Sequence, residues 1–139
     1  LDRYGTGTWD SVMQVNVNSA FYLTQAMLPL LRASEDARLL FTSSSVGRKG
    51  RAFWGAYAVS KAATENLAQV LAEELENTSP IRVNTLNPGG TRTDMRALAY
   101  PGEDPQTLKT PADIIAPYLY LLGPASKDVN GQSIDAQPK

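Results

Sequence analysis

Apolar residues near the start of the chain recur at helical spacing. Trp9, Val12, Met13, Ala20, Leu23, Met27, Leu30 and Leu31 share one side of a ~3.6-residue period, with Asn16 a polar member of the same run. This predicts a helix over residues 9–32, with Thr8 as its N-cap and Asp10 and Ser11 in the first turn. Pro29 would kink or tighten the last turns. After the break at Ser34-Glu35-Asp36, residues 39–42 are apolar on both faces, as expected for a strand buried in a parallel sheet. A Gly-rich, basic stretch over residues 43–55 reads as a loop.

A second long helix is predicted over residues 53–77. Its apolar stripe is Ala56, Val59, Ala63, Leu67, Val70, Leu71 and Leu75, and Glu65, Gln69, Glu73 and Glu76 lie outside it. Small residues at Ala58, Ala62 and Ala63 permit close helix–helix packing. Pro80 stops the helix, and residues 81–86 read as the next strand. Residues 93–109 show no clean period. Thr110-Pro111-Ala112-Asp113 then reads as a helix start, with an N-cap, Pro at the first position and an acid at the third. That helix would run over 114–122 despite Pro117 and stop at Gly123-Pro124. Residues 133–136 would be a last, edge strand. The order strand, helix, strand, irregular segment, helix, strand predicts an α/β fold: the second half of a doubly wound parallel sheet, with three strands and flanking helices.

Composition narrows the chemistry. The 139 residues carry 13 basic and 14 acidic side chains, a net charge of −1, and neither Cys nor His. With no basic stripe, nucleic acid is not an expected partner. No disulfide or thiol chemistry is available, and the commonest metal ligand and general base is missing, so no metal site is expected. Catalysis would have to rest on Tyr, Lys, Ser or carboxylates. No run of ~18 apolar residues suggests a membrane span, and the first residues lack a signal-peptide pattern, which fits a cytoplasmic protein. Asn77-Thr78-Ser79 matches a glycosylation sequon, and without a secretory context it reads as chance.

The strongest chemical signal is Tyr57-Ala58-Val59-Ser60-Lys61. Tyr and Lys four apart on a helix point the same way. Free tyrosine ionises near pH ~10, and a neighbouring ammonium favours the phenolate. The sequence Ser43-Ser44-Ser45 lies upstream, and a hydroxyl from it could hold a substrate oxygen. Such a set suits proton transfer at a carbonyl or alcohol. By itself the spacing also fits a half-buried Tyr beside a snorkelling Lys. Its setting is what adds weight. Val15-Asn16-Val17 and Leu39-Leu40-Phe41 precede it, and Ile81-Arg82-Val83-Asn84-Thr85-Leu86-Asn87-Pro88-Gly89-Gly90-Thr91-Arg92-Thr93 follows.

In that order and spacing the chain resembles the short-chain dehydrogenases/reductases over nearly its whole length. Within them, Thr110-Pro111-Ala112-Asp113 and Asp135-Ala136-Gln137-Pro138 are most similar to the YciK-like bacterial oxidoreductases. The resemblance implies a Rossmann-type fold and a catalytic tetrad of Asn16, Ser44, Tyr57 and Lys61. Tyr57 would be the general acid in reduction and the base in oxidation. Lys61 would stabilise the phenolate and hold the nicotinamide ribose. Ser44, thirteen residues before Tyr57, would bind the substrate oxygen. Asn16 would anchor a water in a proton relay reaching Lys61; a structural Asn bonding nearby backbone is the alternative, and Asn18 is the competing residue. The implied cofactor is NAD(P), with NADP slightly preferred. Tyr57, Lys61, Pro88, Gly89, Thr91 and Thr93 are the implied cofactor-binding residues, Thr91 and Thr93 near the nicotinamide carboxamide. Residues 93–109 correspond to the family's substrate-binding lid; a solvated connector is the other reading. Asn84 reads as structural, and Arg48, Lys49 and Arg51 as a solvated basic loop rather than a phosphate site.

The expected partner is a small carbonyl or alcohol substrate, and homo-oligomerisation would use the two long helices. The family's Gly-rich dinucleotide turn is not among these residues, so the chain is expected to be the C-terminal catalytic portion of a protein roughly 100 residues longer. Two other functions compete: a catalytically inactive, helix-mediated association module, and an isomerase or dehydratase of the same superfamily.

Overall fold

A computed structural model describes residues 1–138. Helix α1 (Thr6–Met13) runs through a single π-helical segment (Gln14–Asn18) into α2 (Ser19–Ala33). Strand β1 (Arg38–Thr42), a one-turn helix α3 (Ser45–Arg48), the long α4 (Gly55–Glu76) and β2 (Arg82–Asn87) follow. Helix α5 (Asp94–Ala99), α6 (Ile115–Leu122) and β3 (Ser133–Asp135) complete the order. The three strands form one parallel sheet, β1-β2-β3, with Arg38 opposite Arg82 and Thr85 opposite Ser133. Parallel pairing brings Thr42, Asn87 and Asp135, the last residue of each strand, to one end of the sheet. The α/β architecture expected from the sequence is the one observed.

The core lies between α4 and the sheet. Ala68, Leu71, Ala72 and Leu75 of α4 pack with Ala37, Phe41, Ile81 and Val83, and Leu28 and Leu31 of α2 close over them. The buried face of α4 differs from the predicted stripe. Val59 and Val70 are 40% and 45% exposed, whereas Ser60, Thr64 and Glu65 are buried. Short side chains let the helix approach the sheet closely, and hydrogen bonding within the helix and to the sheet satisfies the polar ones. Thr64 Oγ1 donates to the Ser60 carbonyl at 2.9 Å, and Glu65 accepts from Thr85 Oγ1 at 2.8 Å.

Other elements also depart from expectation. The first helix starts at Thr6 and follows Gly5, so Thr8 lies within it and is not the N-cap. It continues through Pro29 to Ala33. The stretch 43–55 contains α3, and the expected irregular segment 93–109 contains α5 and a 3₁₀ turn at Pro105–Thr107. The Thr110 start is a reciprocal box: Asp113 Oδ2 accepts from the Thr110 amide and hydroxyl at 2.8 and 2.7 Å, and Thr110 Oγ1 accepts from the Asp113 amide at 3.3 Å. These bonds hold the Asp113 carboxyl below its ordinary pKa. A 3₁₀ turn (Ala112–Ile114) intervenes before α6. Pro117 falls in the first turn of α6, where a missing N–H leaves no helical bond unmade. Asn84 is buried and structural: its amide donates to the Val129 carbonyl and its oxygen accepts from the Gln132 amide, both at 2.9 Å.

Candidate active site

Tyr57 and Lys61 lie in the first two turns of α4, on one face. Lys61 Nζ is 5.7 Å from the Tyr57 ring centroid and donates a 2.9 Å hydrogen bond to the Thr42 carbonyl, the last of β1. Burial lowers the Lys61 pKa below its ordinary value, because desolvation disfavours the ammonium. The chain leaving β1 carries the three serines. Ser43 is buried, and its amide extends the sheet by donating to the Leu86 carbonyl at 2.8 Å. Ser44 is half-buried and extended (φ −156°, ψ 155°) immediately before α3, and Ser45 is exposed.

Helix α3 fixes Ser44 relative to α4 through Gly47. A Cβ at that position would stand 2.8 Å from the Lys61 carbonyl carbon and oxygen. Only glycine permits this approach, which joins the element after Ser44 to the residue that carries the ammonium.

Asn16 sits in the π-helical segment, a local widening that commonly accompanies functional sites. Its Nδ2 donates to Ser60 Oγ at 3.0 Å, and Ser60 Oγ donates to the Tyr57 carbonyl at 2.8 Å. The bond therefore goes to the neighbour of Lys61. Asn18, the competing residue, instead donates to Gln14 on the exposed side of its helix.

At the end of β2, Pro88 and Gly89 begin a turn in which Gly89 has φ +74°. The Gly89 amide donates to Asn87 Oδ1 at 3.1 Å. Gln137 Nε2 clamps the turn from below, donating to the carbonyls of Pro88 (2.8 Å) and Gly90 (2.9 Å). Thr91 Oγ1 donates to the Gly89 carbonyl at 3.2 Å. Thr93 is the N-cap of α5, its hydroxyl accepting from the Arg96 amide at 3.2 Å. Both threonine hydroxyls thus shape the turn and the start of the next segment.

Residues 92–108 form a closed loop. Thr91 and Lys109 pair at its base, and the Arg92 guanidinium donates to the carbonyls of Pro105 (2.8 Å) and Leu108 (3.1 Å). Arg96 makes two bonds to Glu103, at 2.7 and 2.8 Å, and lies 3.7 Å over the Tyr100 ring. That pairing depresses the Glu103 pKa and raises that of Arg96. Tyr100 meets Trp54 at 6.0 Å, and Trp54 meets Tyr57 at 5.8 Å between ring centroids. An aromatic series therefore joins the loop to the start of α4.

Several of these residues were missed from the sequence. Ser60 lies within the Tyr–Lys motif and could have been found. Gln137 acts on Pro88 and Gly90, and Tyr100 meets Trp54, across long stretches of sequence. Arg48, Lys49 and Arg51 are exposed, as expected of a solvated loop, but the Arg48 guanidinium also donates to Asp135 and Ser133 at 2.7 Å.

The family model for short chain dehydrogenases matches residues 2–104. The chain belongs to the short-chain dehydrogenase family. Escherichia coli K12 has a similar protein, the uncharacterized oxidoreductase YciK, 62% identical over 94% of this chain and 51% of that protein. A short chain dehydrogenase structure from Salmonella enterica serovar Typhi superposes with a TM-score of 0.96 at 60% identity, covering 99% of this chain and 56% of that one. Another, from Shigella flexneri 2a and solved in complex with NADP, gives 0.95 at 58% identity, covering 99% and 57%. This short-chain dehydrogenase chain spans about half the length of the relatives it matches. Among its described residues, no cluster of His, Cys, Asp and Glu could hold a metal ion, and no helix is long and apolar enough to cross a membrane.

Proposed function

We propose that the protein carrying this chain is an NAD(P)-dependent oxidoreductase acting on a small carbonyl compound or secondary alcohol, with NADP preferred. The observation that carries this reading is the meeting of Tyr57 and Lys61 on one face of α4 with the end of β1, from which Ser44 extends. The NADP complex of the Shigella relative supports the choice of cofactor.

Bound nicotinamide supplies or accepts the hydride. The residues on this chain fit its nicotinamide end. The Lys61 ammonium, held on the Thr42 carbonyl, has two further N–H donors for ribose hydroxyls. Pro88, Gly89, Thr91 and Thr93 would hold the nicotinamide. Ser44 holds the substrate oxygen. The Tyr57 hydroxyl gives that oxygen its proton in reduction and takes it back in oxidation. Asn16 steadies the start of α4 through Ser60 and anchors the water that refills the proton. Residues 93–109 cover the substrate, with Trp54 and Tyr100 linking cover and catalytic helix. A cytoplasmic location belongs to the same reading, as does pairing of copies through exposed apolar residues such as Leu23, Leu30, Val59 and Val70.

The test uses the full-length protein expressed from its intact gene, with NADPH and a panel of aldehydes and ketones. Tyr57→Phe should abolish NADPH-dependent reduction while leaving NADPH binding intact. Retained turnover would remove Tyr57 from its role.

A further inference from the structure

Glu65, one turn beyond Lys61 on α4, is 6% exposed. A carboxylate so far from water needs partners around it. Its oxygens accept from Thr85 Oγ1 at 2.8 Å and Ser133 Oγ at 2.9 Å, and Arg48 Nε lies 3.6 Å away. Arg48, the last residue of α3, spreads its guanidinium over the end of β3. Nε donates to Ser133 Oγ at 2.7 Å, Nη2 to the Ile134 carbonyl at 3.1 Å and Nη1 to Asp135 Oδ1 at 2.7 Å. The same Asp135 oxygen accepts from Asn87 Nδ2 at 2.8 Å, and Asn87 Oδ1 accepts from the Gly89 amide at 3.1 Å. A continuous path of hydrogen bonds therefore starts on α3, the helix that Ser44 precedes. It crosses the end of β3 and reaches the bend at the end of β2.

The path ends at the bend assigned to the nicotinamide, and only a planar fork makes all three contacts to β3 at once. The geometry points to Arg48 as a positioning residue: through Asp135 and Asn87 it holds the Gly89 turn, and with it the nicotinamide, in register with Ser44. The inference rests on the oxidoreductase reading above. Arg48 touches neither cofactor nor substrate, and its effect is on where the turn sits.

A purely structural staple and a positioning residue differ in what they do to the two ends of the cofactor. The test compares NADPH with adenosine 2′,5′-bisphosphate, which shares the adenosine end and lacks nicotinamide. Calorimetric titration of the full-length protein is run on wild type, Arg48→Gln, Arg48→Lys, Asn87→Ala and the Arg48→Gln/Asn87→Ala pair, each first checked for folding by circular dichroism. Losing the charge-assisted path should weaken NADPH about tenfold in Arg48→Gln. Binding of the bisphosphate should stay within about twofold of wild type. Asn87→Ala should behave alike, and the pair should be no weaker than either single change, since both cut one path. Arg48→Lys, which keeps the charge and loses the fork, should fall between. Equal losses for both ligands, no loss for either, or fully additive losses in the pair would overturn the assignment. If Arg48→Gln does not fold, Asn87→Ala carries the same comparison, because it cuts the path beyond Asp135 and leaves the Arg48–Glu65 pairing in place. A wild type that binds NADPH no better than the bisphosphate would remove the nicotinamide site itself, and this inference with it; Tyr57→Phe tests the chemistry separately.

Discussion

Gly47→Ala is a one-methyl change that probes how Ser44 is held against the Tyr57–Lys61 face. The added Cβ would stand 2.8 Å from the Lys61 carbonyl carbon and oxygen and 2.9 Å from its Cβ. Two of these are backbone atoms within α4, so no rotamer change relieves the overlap. Restoring contact at ordinary van der Waals distance separates α3 from α4 by about 0.6 Å. Overpacking of this kind costs about 1–3 kcal/mol. The catalytic effect should be larger than stability alone suggests, because the displaced element carries Ser44 away from the residues it must meet. Misplacement by about 1 Å can reduce rate on the order of a hundredfold. Urea unfolding of the full-length protein should show the stability loss, and kcat on a carbonyl that it reduces should fall roughly tenfold or more with NADPH affinity nearly kept. Wild-type stability in Gly47→Ala would refute the close approach. A stability loss with unchanged kcat would refute the link between α3 and Ser44 alignment.

Two further changes test the neighbouring contacts. The Lys61 pKa is lowered by burial, so the unfolded chain keeps the proton to higher pH than the folded one. Stability attributable to this group is therefore lowest while it is charged in the fold, and rises as pH climbs from the lowered pKa towards the ordinary 10.5. Lys61→Met removes that dependence: its stability relative to wild type should be most favourable near neutral pH and decline towards pH 10.5, whereas parallel urea midpoints across that range would contradict the sign. Its activity should be lost and its NADPH binding weakened, since the same ammonium is assigned to the ribose. Asn16→Ala deletes the part-buried 3.0 Å bond to Ser60 and should cost about 1 kcal/mol in urea unfolding. Asn18→Ala, on the exposed side, should stay within about 0.5 kcal/mol, and equal effects would show that the π-helical segment does not single out Asn16.

Contacts close in sequence were the ones that could be read in advance. The i,i+4 relation of Tyr57 and Lys61, the strand runs around Leu39 and Val83, and the Thr110–Asp113 box all depend on near neighbours. Helix α3 spans only four residues, too few to show a period, and it is held by the packing of Gly47 on α4. The π-helical segment around Asn16 leaves no compositional mark. Glu65 lies outside the apolar stripe read along α4, yet it is buried; its burial depends on Thr85 and Ser133, which the fold delivers from two strands. The contacts of the exposed Arg48 are illegible for the same reason: its partners at Ser133, Ile134 and Asp135 lie more than eighty residues downstream. The apolar stripe on α4 failed at Val59 and Val70, which are exposed, while Ser60, Thr64 and Glu65 are buried beside Leu71 and Leu75 on the face that meets the sheet.

The placement of Lys61 follows from a general demand of the sheet. A strand that ends leaves carbonyls needing donors. At the end of β1 the Thr42 carbonyl receives the Lys61 ammonium, and one residue before the end of β2 the Leu86 carbonyl receives the Ser43 amide. The first bond satisfies the strand and also fixes a cation 5.7 Å from the Tyr57 ring; the second fixes the backbone immediately before Ser44. Both donors are part of the site or adjoin it, so the site is built from the bonds that terminate the sheet. Fraying of β1 from its last residue should therefore act on the cation beside Tyr57 first, through Thr42, and on the hydrophobic core next, through Phe41.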